Sequence, residues 1–211
     1  ISAAFFNPDA YCALVTVVGA AAGLAAGFLI GAFLASVLAA GFFAGALAQD
    51  AAAHAKAYLG SVVGSSGQLC TAPGLVFVPT GAAGDEFSAA LRTETANAAG
   101  QTMLTAGIYN SWVQGVQNLG SQPGVELLGR GAEGSSENAP APSIFSTKVE
   151  QLLDNPVLHE EIFGAASLVI RYADAAELAT ALSKLEGQLT ATLQLTDTDH
   201  EAVAAVLPIL E

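Results

Sequence analysis

Residues 64–79 read GSSGQLCTAPGLVFVP. The second half, GLVFVP at 74–79, is a short apolar run bounded by Gly and Pro, which is the pattern of a strand. The first half is small and flexible, and it delivers Cys70 just ahead of that strand. Gly64 and Gly67 allow the backbone to approach a ligand closely. Cysteine is the best side-chain nucleophile near neutral pH, but only as its thiolate, so a catalytic one needs a local cause for ionising. On spacing alone, a lone cysteine in a glycine-rich turn reads first as a small buried hydrophobe.

Working outward from this stretch, strand and helix signals alternate, so α/β is the natural class. The segment 84–98 reads as a helix with Asp85 and Glu86 in its first turn, where the helix dipole favours acids. The segment 105–118 repeats apolar residues at helical spacing, and 129–143 reads as a loop rich in Gly, Ser, Glu and Pro. Thr147 with Glu150 forms a capping-box pattern before KVEQLLDN. ASLVIRY (166–172) reads as a buried strand. Asp174 is placed to cap the next helix, and Gly187 to end it. QLTATLQL (188–195) alternates as a strand does, and Thr198 with Glu201 opens a last helix.

Upstream the chain changes character. Between Asp9 and Asp50 there is no charged residue and no proline, and Gly19, Gly23, Gly27 and Gly31 recur every fourth position. Uncharged length with small residues on one helical face is a membrane signature. Three features oppose it: the stretch is mainly Ala and Gly, no Lys or Arg precedes Lys56 to anchor it, and it lacks the basic start of a signal peptide. Buried elements of an α/β core are also uncharged over long runs.

The 211 residues carry six Lys and Arg against nineteen Asp and Glu, a formal net charge of −13. So few cations argue against a nucleic-acid partner and against anionic membrane surfaces. Cys12 and Cys70 do not make a disulfide framework in a chain this long, so two reduced thiols in a cytoplasmic protein are expected. His54, His159 and His200 stand apart with no metal-ligand spacing, and no metal site is expected.

Four segments carry a resemblance. GQLCTAPG (67–74) is similar to the G-Q-x-C-T-x-P-G segment around the nucleophile in one branch of the aldehyde dehydrogenase superfamily, the branch of NADP-dependent fatty aldehyde and α-ketoglutaric semialdehyde dehydrogenases. NPVLHEEIFGAASLVI (155–170) resembles the family's N-P-x-L-x-E-E-x-F-G-P segment. TMLTAGI (102–108) and LEGQLTATLQL (185–195) resemble stretches of the semialdehyde branch. All four occur in the family's order.

The resemblance implies a three-layer α/β catalytic domain over 36–211 and a remnant of a Rossmann-type cofactor domain over 1–35, together part of a longer protein. It implies NAD(P)+-dependent oxidation of an aldehyde, α-ketoglutaric semialdehyde being favoured, by a homodimer or homotetramer. Cys70 would be the nucleophile, its oxyanion held by backbone N–H groups that include its own. Glu161 would bond the nicotinamide ribose of NADP or NAD, and Phe163 would pack beside the cofactor. Gly19 and Gly23, in VTVVGAAAGLAAG, have a spacing similar to the family's turn at the cofactor. Read without the family, Glu160 and Glu161 are two solvated acids.

Two departures stand out. Gly164 is followed by Ala165 where the family has Pro. More serious, the family's general base is a Glu some thirty-five residues before the cysteine, and positions 32–40 contain no acid. That keeps open a family member that binds a partner without turning over. The uncharged stretch keeps open a small membrane-anchored protein with an N-terminal helical hairpin.

Overall fold

The computed structural model describes residues 14–19, 39–42, 44–70, 72–185 and 190–210. Cys12, Gly23, Gly187 and most of the uncharged stretch lie outside them. The described chain forms β1 (Leu14–Gly19), β2 (Ala39–Phe42), α1 (Ala44–Val63), β3 (Leu75–Pro79), α2 (Ala82–Ala96), α3 (Ala106–Gly120), β4 (Glu126–Arg130), β5 (Ser143–Lys148), α4 (Val149–Asp154), β6 (Ala166–Tyr172), α5 (Ala175–Leu182), β7 (Thr190–Leu195) and α6 (His200–Leu210).

The strands make one seven-stranded sheet in the order β1-β7-β2-β3-β6-β5-β4. All neighbours run parallel except β4, which is antiparallel to β5. The apolar run of β3 is explained by its place at the centre. Leu75 and Phe77 point into one core, with Phe145, Leu168, Ile170 and Leu193 from the neighbouring strands and Trp112, Leu152 and Leu178 from the helices above. Val76 and Val78 point into the other, with Ile144 and Val169 and with Leu59, Phe87 and Leu91 of α1 and α2. A parallel strand covered on both faces needs apolar side chains at consecutive positions. Each fully buried Leu or Phe stabilises by about 1.5–3 kcal/mol. The fold is therefore α/β with helices on both faces, as expected.

The stretch 1–35 is represented by β1, which lies along β7 at the outer edge of the same sheet. Among the described residues no helix is long and apolar enough to cross a membrane. The described part of the uncharged region instead supplies two strands and the start of α1. That helix is broken at Asp50, whose backbone is extended (φ −164°, ψ 79°). The Asp50 carboxylate accepts the Ala53 N–H at 2.8 Å, capping the second segment afresh.

Three local expectations need correction. Thr147 does not cap α4: it lies within β5 and donates to the Gly124 carbonyl at 2.8 Å, while Lys148 occupies the cap position without a side-chain bond. The loop expected from 129 begins inside β4, a short edge strand with a register shift at Leu127–Gly129. An edge strand needs little apolar patterning, so it left no signal. At the last helix the organising residue is Asp199 rather than Thr198. Asp199 accepts Thr196 N–H at 2.8 Å, Thr196 Oγ1–H at 2.9 Å and Gly45 N–H at 3.1 Å, which ties this turn to the first turn of α1. Asp174 caps α5 as expected, accepting the N–H groups of Ala176 and Glu177, both at 2.9 Å.

Candidate active site

Cys70 is exposed, in the connection between α1 and β3. The chain leaves α1 through Gly64–Gly67, in which Ser65 (φ 52°, ψ 36°), Ser66 (φ 61°, ψ 23°) and Gly67 (φ 66°) are left-handed in succession. Glycine adopts this region readily, whereas holding any other residue there costs about 1–3 kcal/mol and persists only where the surroundings enforce it. The surroundings are two of the other three segments singled out in the sequence.

From the 102–108 side, Ser66 is buried and bonded twice to Gln101: its N–H donates to Oε1 at 3.2 Å and its hydroxyl to the backbone carbonyl at 2.8 Å. In the reverse direction the Leu104 N–H donates to Gln68 Oε1 at 2.9 Å. From the 155–170 side, the backbone passes so close that a Cβ on Gly67 would lie 2.3 Å from the Gly164 carbonyl carbon. Gly164, at φ 138°, in turn sits on Trp112 of α3, where a Cβ would meet the indole at 2.3 Å. Both contacts require glycine.

On the far side of Cys70 the chain is fixed to the sheet. The Ser167 hydroxyl of β6 donates to the Gly74 carbonyl at 3.1 Å, and the buried Tyr58 hydroxyl bonds Ser167 and reaches the Pro73 carbonyl at 3.4 Å. Burial pushes the Tyr58 phenol well above its ordinary range, its bond to Ser167 opposing.

Beside this loop, Glu161 and Phe163 line one cleft of about 490 Å3 with Thr105, Ile108 and Trp112. Glu161 also borders a cavity of about 250 Å3 with Glu160, Asn118 and Ser167. Ile162, packed on Gly115, borders both. Leu69, Leu104 and Phe163 are large apolar side chains left exposed on these three segments, Leu104 at 81%. An apolar rim on a loop with an accessible thiol suits capture of a small organic molecule.

The structure thus places Cys70, Glu161 and Phe163 on the connections that enter the amino ends of β3 and β6, which touch at Gly67 and Gly164. Gly19 is not gathered with them: it ends β1 beside Leu195, at the carboxyl edge of the sheet and three strands from β3. Gln101, Tyr58 and Ser167 had no signal in the sequence reading, since their roles arise from hydrogen bonds between distant segments.

Comparison with known proteins bears on the family and the fold. The model of the aldehyde dehydrogenase family matches residues 45–205. The chain is 36% identical over 145 residues to α-ketoglutaric semialdehyde dehydrogenase 2 of Azospirillum brasilense, covering 69% of this chain and 28% of that protein. It is also 36% identical over 145 residues to the α-ketoglutaric semialdehyde dehydrogenase of Acinetobacter baylyi, covering 68% and 28%. Its fold superposes on lactaldehyde dehydrogenase from Escherichia coli with a TM-score of 0.65 at 19% identity, over 81% of this chain and 37% of that one. The chain spans just over a quarter of the length of the curated relatives it matches. With the family model covering most of its length, the chain belongs to the aldehyde dehydrogenase family.

Proposed function

We propose that this chain carries the nucleophile and part of the cofactor contact of an NAD(P)+-dependent aldehyde dehydrogenase, with α-ketoglutaric semialdehyde the favoured substrate. The observation that carries the reading is the convergence of the 101–108 and 155–170 segments on the Ser66–Gln68 turn that leads to Cys70, through Gln101, Leu104 and Gly164. Two relatives named for that semialdehyde support the substrate.

In this reading Cys70, as its thiolate, adds to the aldehyde carbonyl and gives a thiohemiacetal. Backbone N–H groups of the loop, that of Cys70 included, hold the oxyanion. The residues of the neighbouring cleft fit the cofactor: the Glu161 carboxylate can accept from a ribose hydroxyl, and the half-exposed Phe163 ring offers a face to a flat heterocycle. When bound, NAD(P)+ accepts the hydride lost by the substrate carbon. The thioester left on Cys70 is then hydrolysed to the acid and the free thiolate. Assembly as a homodimer or homotetramer, a cytoplasmic location and a catalytic domain over 36–211 belong to the same reading.

The test is chemical. Iodoacetamide modification, mapped by mass spectrometry, is expected to label Cys70 well ahead of Cys12, and Cys70→Ala to abolish aldehyde-dependent formation of NAD(P)H. Equal labelling of the two thiols, with oxidation intact in Cys70→Ala, would overturn the assignment. The acid-free stretch 32–40 favours a second reading, a chain that acylates but does not hydrolyse. A single burst of NAD(P)H without turnover would select it.

A further inference from the structure

We propose that Gln101 is a positioning residue for Cys70, acting by holding Ser66 in its left-handed conformation. The proposal rests on the reading of Cys70 as nucleophile.

Ser65 and Ser66 are the only non-glycine residues in the loop leading to Cys70 with positive φ among those described, and Ser66 is the one enclosed by protein. A buried serine in this region relaxes to the right-handed side unless its neighbours prevent it. What prevents it is Gln101, which accepts the Ser66 N–H on its side chain and the Ser66 hydroxyl on its backbone. Gln101 is itself on a fixed strut. One residue before it, the Gly100 N–H donates to the Ala132 carbonyl at 2.8 Å; two residues after it, the Met103 N–H donates to the Asn138 carbonyl at 2.9 Å. Gln68 returns the contact by accepting the Leu104 N–H. Two glutamines thus exchange bonds between two segments, and Cys70 follows two residues beyond the second. A turn of the Ser66 backbone to the right-handed region would redirect everything after it, and would lift Gly67 away from Gly164.

The Gln101 side chain is otherwise exposed, so its loss removes one hydrogen bond without opening the core. In the full-length protein, Gln101→Met is expected to lower kcat for aldehyde oxidation about fivefold, with KM within about twofold and an unchanged melting temperature. The decisive variant is Ser66→Gly in the Gln101→Met background. Glycine takes the left-handed conformation without help, so kcat is expected to return to within about twofold of the parent. A merely structural defect would not be repaired by removing a second side chain. Wild-type kcat in Gln101→Met, or a double variant as slow as the single one, overturns the proposal. Cys70→Ser separates this from the broader reading: oxidation that survives Cys70→Ser overturns both, whereas oxidation lost there and unchanged in Gln101→Met overturns only the role of Gln101.

Discussion

The two edges of the central sheet are built on different principles. At the carboxyl ends of β3, β5 and β6 lies a polar groove of about 620 Å3, bordered by Arg171, Asp85, Lys148 and Glu150. Its interactions are charged. Arg171 is bonded to Asp85 and to the Pro79 carbonyl, at 2.8 and 3.0 Å, and approaches Ser88 at 3.3 Å. At the amino ends of β3 and β6 lies the Cys70 loop, held by backbone contacts, neutral hydrogen bonds and close-packed glycines. In open parallel α/β sheets, ligands are expected beyond the carboxyl ends of the strands. Here the exposed thiol of Cys70 and the left-handed serines Ser65 and Ser66 that lead to it lie at the opposite edge. Strained backbone is the better guide to the candidate site than the larger and more charged groove.

The sharpest way to break this comparison is a single methyl group at each edge. Gly164→Ala places a Cβ 2.3 Å from the Trp112 indole at φ 138°, so strain and overlap add. Unfolding in urea is expected to show a loss of about 3–4 kcal/mol. Gly81, at φ 96° before α2, has nothing within 4 Å of an added Cβ, so Gly81→Ala bears the backbone cost alone, about 1–2 kcal/mol. Equal losses would mean that the packing at the amino edge is not what distinguishes it.

Next in size is Arg171→Met. The side chain is 17% exposed and supports Pro79, Asp85 and Ser88 together, so denaturant titration is expected to show a loss of about 2 kcal/mol. Iodoacetamide labelling of Cys70 is expected to stay at the parent rate. A change in that rate would show that the two edges are coupled through β3 and β6.

These edges also differ in how far the sequence disclosed them. Strands β3 and β6 were legible because a strand buried on both faces must be apolar throughout, and LVFVP and ASLVIRY satisfy that. The cap at Asp174 was legible because it is local. Cys70, Glu161 and Phe163 were singled out only through the family pattern, since spacing alone gave a buried thiol and two solvated acids. Helix α1 was hidden because an alanine-rich stretch has little periodicity to read, and its first turn is tied down by Asp199, 154 residues away. The bonds of Gln101 to Ser66 and of Gln68 to Leu104 were hidden for the same reason: nothing local marks a glutamine whose partner is thirty-five or thirty-six residues distant.

The next effect separates the edges by pH. Tyr58, beneath the Cys70 loop, has its phenol ionisation raised by burial. Burial also raises that of Tyr172, the last residue of β6 at the other edge, with the Asp199 carboxylate adding to it. A phenol harder to ionise in the folded state contributes stability in full below its unfolded value of about 10, and that stability is lost as pH rises beyond it. Thermal melting is therefore expected to fall above about pH 10, and Tyr58→Phe and Tyr172→Phe each to flatten the fall. Near neutrality Tyr58→Phe loses its bonds to Ser167 and Pro73, about 1 kcal/mol. An alkaline limb that neither variant alters would show that neither tyrosine controls it.

The smallest expected effect is the most discriminating for the charged edge. Asp85→Asn removes the anion from the bridge to Arg171, yet the Asp85 side chain is 68% exposed, and solvent screens such a pair. The Arg171 guanidinium keeps the Pro79 carbonyl, and the asparagine oxygen can still accept a hydrogen bond. The loss is expected to be at most about 0.5 kcal/mol by urea titration, and smaller still in high salt. A loss matching that of Arg171→Met would mean that the ion pair itself, rather than the support of the Pro79 carbonyl, holds the carboxyl edge. The two edges would then differ in the kind of force that fixes them as well as in where the thiol lies.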